Sequence, residues 1–194
     1  MQTSIAPNVR IRPLTIRDYQ YLIERGTFGP EERVELLNGQ PIQMAAKGTR
    51  HRAACTRLLQ VLSDALDPDF ALICLQDPVE LDDRSMPEPD VAIVRPHPLY
   101  YAERHPTPAD IHWLIEVADT SLVYDTQTKA AAYGRSGIVD YWVIDLLNDR
   151  VWTFRDPNDT GYGHIEQRDR IATIAPITFP DCQFAVADLL GPVV

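Results

Sequence analysis

P-E-P-D-V-A-I-V-R-P-H-P-L-Y-Y-A-E-R-H-P-T-P-A-D-I-H-W-L-I-E-V (Pro87–Val117) contains two strand-like runs of this chain, each with an acidic residue at one end. Val91–Val94 and Ile111–Val117 are short and apolar, as buried β-strands are. Between them Pro96, Pro98, Pro106 and Pro108 leave residues 95–109 as a loop. Asp90 opens the first run and Glu116 lies near the end of the second. Antiparallel pairing sets the start of one strand beside the end of the other, which brings both carboxylates to the same end of the sheet. Glu116 follows Trp113, Leu114 and Ile115 and precedes Val117, a run in which a carboxylate is costly to bury without a partner. Two carboxylates a few ångströms apart repel each other unless a cation neutralises them. Mg²⁺ accepts such oxygen ligands and keeps room for water and a phosphate. A lone acidic residue at a strand end is more often a solvated edge residue, so the pair matters more than either member.

Working outward, T-I-R-D-Y-Q-Y-L-I-E-R-G (Thr15–Gly26) reads as a helix, with Thr15 and Asp18 at capping-box spacing and Gly26 as its stop. Residues 1–13 read as an arm limited by Pro7 and Pro13, and residues 14–194 as one domain. Asn38-Gly39 is a favoured two-residue hairpin turn between the apolar segments of R-V-E-L-L-N-G-Q-P-I-Q-M. From about Arg50 to Leu66, Cys55, Leu58, Leu59, Leu62 and Leu66 recur at helical spacing. A-L-I-C-L and P-V-E-L read as two short strands before Pro87. Residues 125–136 read as a helix ending near Gly137, and D-Y-W-V-I-D with R-V-W-T-F as a hairpin around Leu147–Asp149. The remainder is a weaker β segment and a short tail. This order predicts an α/β fold, a mixed β-sheet flanked by helices, with an N-terminal helix and hairpin.

The chain has 194 residues and a formal net charge of −10, with 45% apolar and 24% charged residues, the composition of a soluble globular protein. The first residues lack a long apolar core, and no run is long enough to span a bilayer, so neither a signal peptide nor a membrane segment is expected. The three cysteines are an odd, widely spaced set that fits neither a disulfide framework nor a zinc knuckle, which points to the cytoplasm. The negative charge argues against general nucleic-acid binding but not against a local basic patch. Only two of the 18 basic residues are lysines, Lys47 and Lys129.

Lys129 stands four residues after Asp125 and shares a helix face with it. It could orient a water or bind a phosphate, or simply pair with Asp125 at the surface. Ser121 and Asp125 could cap that helix. Glu35, in the first hairpin, could supply a further carboxylate. K-G-T-R-H-R-A-A-C-T-R (Lys47–Arg57) is the densest basic cluster. Arg50, His51 and Arg52 there form either a phosphate-contacting patch beside the acidic site or an ordinary solvated helix start. Tyr133 reads as a core residue, Tyr141, Trp142 and Trp152 as core or dimer-interface residues, and Arg135 as a member of an exposed salt bridge or, less readily, a DNA contact.

Taken in order, R-V-E-L-L-N-G, the helix opening with His51, P-E-P-D-V-A-I-V, L-I-E-V-A-D-T-S-L-V-Y-D-T-Q-T-K-A-A-A-Y and G-I-V-D-Y-W-V-I-D resemble the Uma-two family over roughly residues 15–190. Its members are bacterial proteins labelled restriction endonucleases and placed in the PD-(D/E)XK nuclease superfamily. The resemblance implies a restriction-endonuclease-like fold, Mg²⁺ (or Mn²⁺) as cofactor, and DNA as substrate. Asp90 and Glu116 then match the metal-binding acids, Lys129 the catalytic lysine and Glu35 the glutamate of the leading element. The superfamily signature puts lysine two residues after the second acid, where this chain has Ala118, so Lys129 would reach the site from the following helix. By class a homodimer is expected. The rival expectation is a catalytically inactive DNA-binding or assembly protein on the same fold. A metal-free carboxylate-pair glycosidase is disfavoured by the lack of an aromatic-rich sugar cleft.

Overall fold

The computed structural model describes residues 10–192. Residues 1–9 of the expected arm lie outside them. Helix α1 (Ile16–Glu24) starts with the expected capping box: the Asp18 N–H donates to Thr15 Oγ1 at 3.1 Å, and the Thr15 N–H donates to Asp18 Oδ2 at 3.0 Å. Its buried Ile16 and Tyr19 pack on Leu36 and Met86. Strands β1 (Arg33–Leu37) and β2 (Gln40–Met44) form the expected hairpin, with Glu35 opposite Ile42. Asn38 (φ 52°) and Gly39 (φ 74°) are both left-handed, as a type I′ turn requires. A Cβ on Gly39 would lie 2.4 Å from the Pro13 Cβ, so this turn and the chain entering α1 fit only with glycine there.

The main sheet has six strands: β3 (Leu72–Leu75), β4 (Val91–Val94), β5 (Ile111–Ala118), β6 (Asp140–Asp145), β7 (Arg150–Asn158) and β8 (Gly161–Asp169), in that order. Every neighbouring pair is antiparallel except β5 and β6, which are parallel. The parallel pair requires a crossover, supplied by a π-helical turn (Tyr124–Lys129) that runs directly into α3 (Ala130–Arg135). The Ala130 N–H reaches back five residues to the Asp125 carbonyl, the mark of the π turn.

Both faces of the sheet are covered. On one face α2 (Thr49–Ala65) sets Leu58 and Leu62 against Val91, Ile93, Trp113, Ile115 and Trp142. Burying such a leucine contributes about 1.5–3 kcal/mol. On the other face Tyr133 and Ala130 join Ala92, Leu114, Tyr141, Val143 and Phe154. Strand β5 is buried along its whole length because it packs both ways, which explains its unbroken apolar pattern. Gly134 touches the start of β8 so closely that a Cβ there would meet the Gly161 carbonyl oxygen at 2.1 Å.

The structure departs from the sequence expectation in three places. P-V-E-L is not a strand of a ladder. Its N–H groups go to two different loops: Val79 and Leu81 to the Pro87 and Ser85 carbonyls before β4, and Glu80 to the Pro106 carbonyl before β5. The weak β segment is the nine-residue edge strand β8, whose mostly exposed side chains hide the alternation that marks buried strands. The tail contains a two-residue strand pair, β9 (Thr173–Ile174) with β10 (Phe184–Ala185), and a short helix α4 (Val186–Leu190) that packs beside α2. Cys55, Cys74 and Cys182 are free thiols. No helix among the described residues is long and apolar enough to cross a membrane.

Candidate active site

The antiparallel register pairs Val91 with Ile115, so Asp90 and Glu116 lie one step beyond that pair, side by side. The Asp90 N–H faces Glu116 Oε2 at 3.3 Å, and the Val117 N–H donates to Asp90 Oδ2 at 3.0 Å. Both side chains are buried, at 5% and 3% exposure. They border a cleft of about 250 Å³ whose walls include Arg33, Lys47, His51, Ser121, Asp125 and Lys129.

Lys129 projects from the end of the π turn into this acidic group. Its ammonium lies 2.8 Å from Glu116 Oε1 and 3.1 Å from Glu35 Oε2, and the side chain is 1% exposed. The surface pairing with Asp125 that a lone lysine would suggest is therefore not its arrangement. Glu35 turns inward from β1, where the Tyr124 hydroxyl donates to Oε1 at 2.8 Å and the Glu88 N–H to Oε2 at 3.0 Å. The structure thus brings all four residues of the expected set together. Tyr133 is more than a packing residue: its hydroxyl donates to Glu116 Oε1 at 2.9 Å. The Ser121 hydroxyl donates to Asp125 Oδ2 at 2.5 Å, so these two brace the π turn through their side chains.

The basic cluster divides. His51, on the first turn of α2, points Nε2 at Asp90 Oδ2 from 2.9 Å, and Lys47 holds Asp90 Oδ1 at 2.9 Å. Arg50 instead donates to the Leu146 carbonyl and lies 3.9 Å from Asp119, while Arg52 is exposed; neither lines the cleft. Arg135 donates to the Asn38 side-chain oxygen rather than to a carboxylate. Lys47 and Tyr124 are site residues that sequence spacing did not reveal. The signals for Lys47 were its rarity and its place in the basic cluster around His51, and both lysines of the chain are in this cleft.

The electrostatics follow from burial and neighbours. Burial pushes the Asp90 carboxyl up, but the His51 and Lys47 contacts outweigh it and hold the group well below the usual carboxylate range. Burial raises Glu116 well above that range; Lys129 opposes, while Asp90, Asp125 and Glu35 add to the rise. Asp125 is pushed up to about 6 by burial, against Lys129 and the Ser121 bond. For Lys129 burial disfavours the charge, yet Glu116 and Glu35 prevail and raise its pKa well above the ordinary lysine value. Lys129 is therefore a fixed cation and not a proton acceptor at neutral pH. Beside Asp90, Cys55 is kept a neutral thiol, pushed up to about 12 by burial first and by Asp90.

The Uma2 family model, described as "Putative restriction endonuclease", matches residues 16–187. The chain belongs to the Uma2 family. No curated protein matches it. Among solved structures it is similar to "a putative nuclease belonging to DUF820 from Anabaena variabilis ATCC 29413", at 18% identity and a TM-score of 0.67, over 92% of this chain and 98% of that one. At that identity the likeness speaks for the fold of this Uma2 chain and for nothing more. Within the Uma2 match lie Glu35, His51, Asp90, Glu116 and Lys129.

Proposed function

We propose that this Uma2 protein is a Mg²⁺-dependent endonuclease that hydrolyses phosphodiester bonds in DNA, with the PD-(D/E)XK division of labour. The observation that carries the reading is the buried Lys129 ammonium, held by Glu35 and Glu116 beside Asp90 at the wall of a cleft. The family's description as a restriction endonuclease supports DNA as substrate.

The donor chemistry fits a divalent cation. Four carboxylates, Glu35, Asp90, Glu116 and Asp125, are buried around two ammonium groups, so with all of them ionised the acids exceed the lysines by two charges. Burial with that excess is what raises Glu116, and a doubly charged ion would restore its ionised form. Asp90 and Glu116 offer only oxygen ligands, as Mg²⁺ prefers, and would hold it. Bound there, Mg²⁺ supplies stabilisation of the charge that grows on the phosphate and a lowered pKa for an attacking water.

The residues of the chain do the rest. The Val117 N–H and His51 fix Asp90 Oδ2. Lys129 and Tyr133 fix Glu116 Oε1, leaving Oε2 toward Asp90. Glu35 also anchors Lys129, at 3.1 Å, so that its positive charge stays at the site. Arg33 also lines the cleft, with its guanidinium paired to Glu88 at 3.1 Å. A homodimer would let two such sites address the two strands of a duplex.

The test is cleavage of supercoiled and linear DNA by purified protein in Mg²⁺, Mn²⁺ or chelator. Cleavage is expected with either metal and not with chelator, and Asp90→Asn or Glu116→Gln should reduce it by about 10²-fold or more, the scale for losing a main electrostatic group. Cleavage undiminished in both variants refutes the site. DNA binding without cleavage by metal-loaded wild type would identify a binding protein on a nuclease fold.

A further inference from the structure

Lys47 occupies the place on Asp90 that a metal ion would need. Its ammonium lies 2.9 Å from Oδ1, while Oδ2 is held separately by His51 and the Val117 N–H. The two lysines of the site are held very differently. Lys129 is 1% exposed and is gripped by two carboxylates, with Tyr124 below its ammonium at 5.8 Å. Lys47 is 19% exposed, makes its one ion pair among the described residues with Asp90, and stands on the irregular segment between β2 and α2 at the cleft wall. Removing the Lys47 ammonium would leave Asp90 oriented, because its other oxygen keeps both donors.

We propose that Lys47 is an internal stand-in for the divalent cation: it neutralises Asp90 in the metal-free protein and must leave Oδ1 before an ion can bind there. This rests on the metal-dependent reading above. The physical argument is competition for one oxygen. An ammonium and a divalent ion cannot both occupy Oδ1 closely without repelling each other, and a mobile four-carbon stem lets the lysine withdraw toward solvent. Lys47 thereby sets the divalent-ion concentration at which the site is loaded, and it protects the metal-free cleft from carboxylate repulsion.

Two measurements test this. The first is Mn²⁺ binding by calorimetry to wild type, Lys47→Met and Arg17→Met, the last removing an equal charge from the exposed face of α1. Lys47→Met should bind Mn²⁺ about tenfold more tightly, equivalent to about 1.4 kcal/mol, and Arg17→Met should match wild type. A lysine needed only to hold Asp90 in place would give the opposite sign. The second uses ε-¹³C-lysine labelling, which yields just two resonances in this chain. Mg²⁺ should shift the resonance that Lys47→Met abolishes. If wild type binds Mn²⁺ and Lys47→Met binds it equally or more weakly, or if the Lys47 signal does not move at saturating Mg²⁺, the stand-in role is wrong and the metal site survives. If neither wild type nor Lys47→Met takes up Mn²⁺, the metal-dependent reading fails and takes this inference with it.

Discussion

Replacing Lys129 by methionine keeps most of the apolar stem and removes the ammonium, with its charge and its hydrogen bond to Glu116. At an effective dielectric of about 20, a unit pair at the observed 2.8 and 3.1 Å is worth about 6 and 5 kcal/mol of Coulomb attraction. Desolvation of a fully buried ammonium offsets several kcal/mol of that. What remains on removal is the cost of leaving Glu35 and Glu116 buried without a counter-charge, about 3–5 kcal/mol. For a chain of this size that lowers Tm by roughly 6–20 °C. The assay is urea unfolding at pH 7, followed by two probes to establish two-state behaviour. Glu116 is already raised well above the usual carboxylate range, so it can take up a proton to relieve the repulsion. The loss in Lys129→Met should therefore shrink as the pH falls. The double variant Lys129→Met/Glu116→Gln should recover part of the stability by removing one of the two stranded charges. A loss below about 1 kcal/mol at pH 7 would place Lys129 among the weak surface pairs and refute the buried-cation account.

Two further outcomes concern parts of the fold away from the cleft. Asp110 accepts from Arg104 at 2.6 and 2.9 Å and from the Thr107 N–H at 2.9 Å, contacts that hold its pKa well below the ordinary 3.8. A depressed folded pKa gives stability that is present above 3.8 and lost as the pH falls through the lower value. Asp110→Asn should thus cost about 1–2 kcal/mol at pH 7 and progressively less below pH 4, as read by chemical unfolding; a pH-independent cost would show that the ion pair is not the source. Gly134→Ala forces a Cβ to within 2.1 Å of the Gly161 carbonyl oxygen, which is backbone and cannot simply rotate away. It should cost about 1–3 kcal/mol, the range for overpacking, and a thermal melt unchanged from wild type would contradict the close approach of α3 to β8.

Much of the fold could be read from local chemistry because local chemistry makes those elements. Thr15 and Asp18 cap α1 through groups three residues apart, and Asn38-Gly39 closes a hairpin whose twist only left-handed residues match. The unbroken apolar run of β5 marked a strand buried on both faces. The π turn left no such mark, since Asp125 and Lys129 share a face in an ordinary helix too, and β8 was obscured by its exposure at the sheet edge. P-V-E-L shows the converse error: strand-like residues form no ladder when their N–H groups meet loops rather than another strand's edge.

The candidate site divides along the same line. The amino-acid order put Asp90 at a strand start and Glu116 near a strand end, so that the two meet if those strands pair antiparallel, and the register of β4 on β5 supplies that condition. Only the tertiary structure decided which cation serves which carboxylate. Lys47 reaches Asp90 across 43 residues, and Tyr124 reaches Glu35 across 89. Such pairs depend on how the hairpin, α2 and the crossover pack on the sheet, and neither periodicity nor spacing along a chain encodes that. Direction was the other missing quantity. A one-residue change of facing would have sent Glu35 to solvent, and the packing of Leu36 and Leu37 on opposite sides is what turns it inward to Lys129.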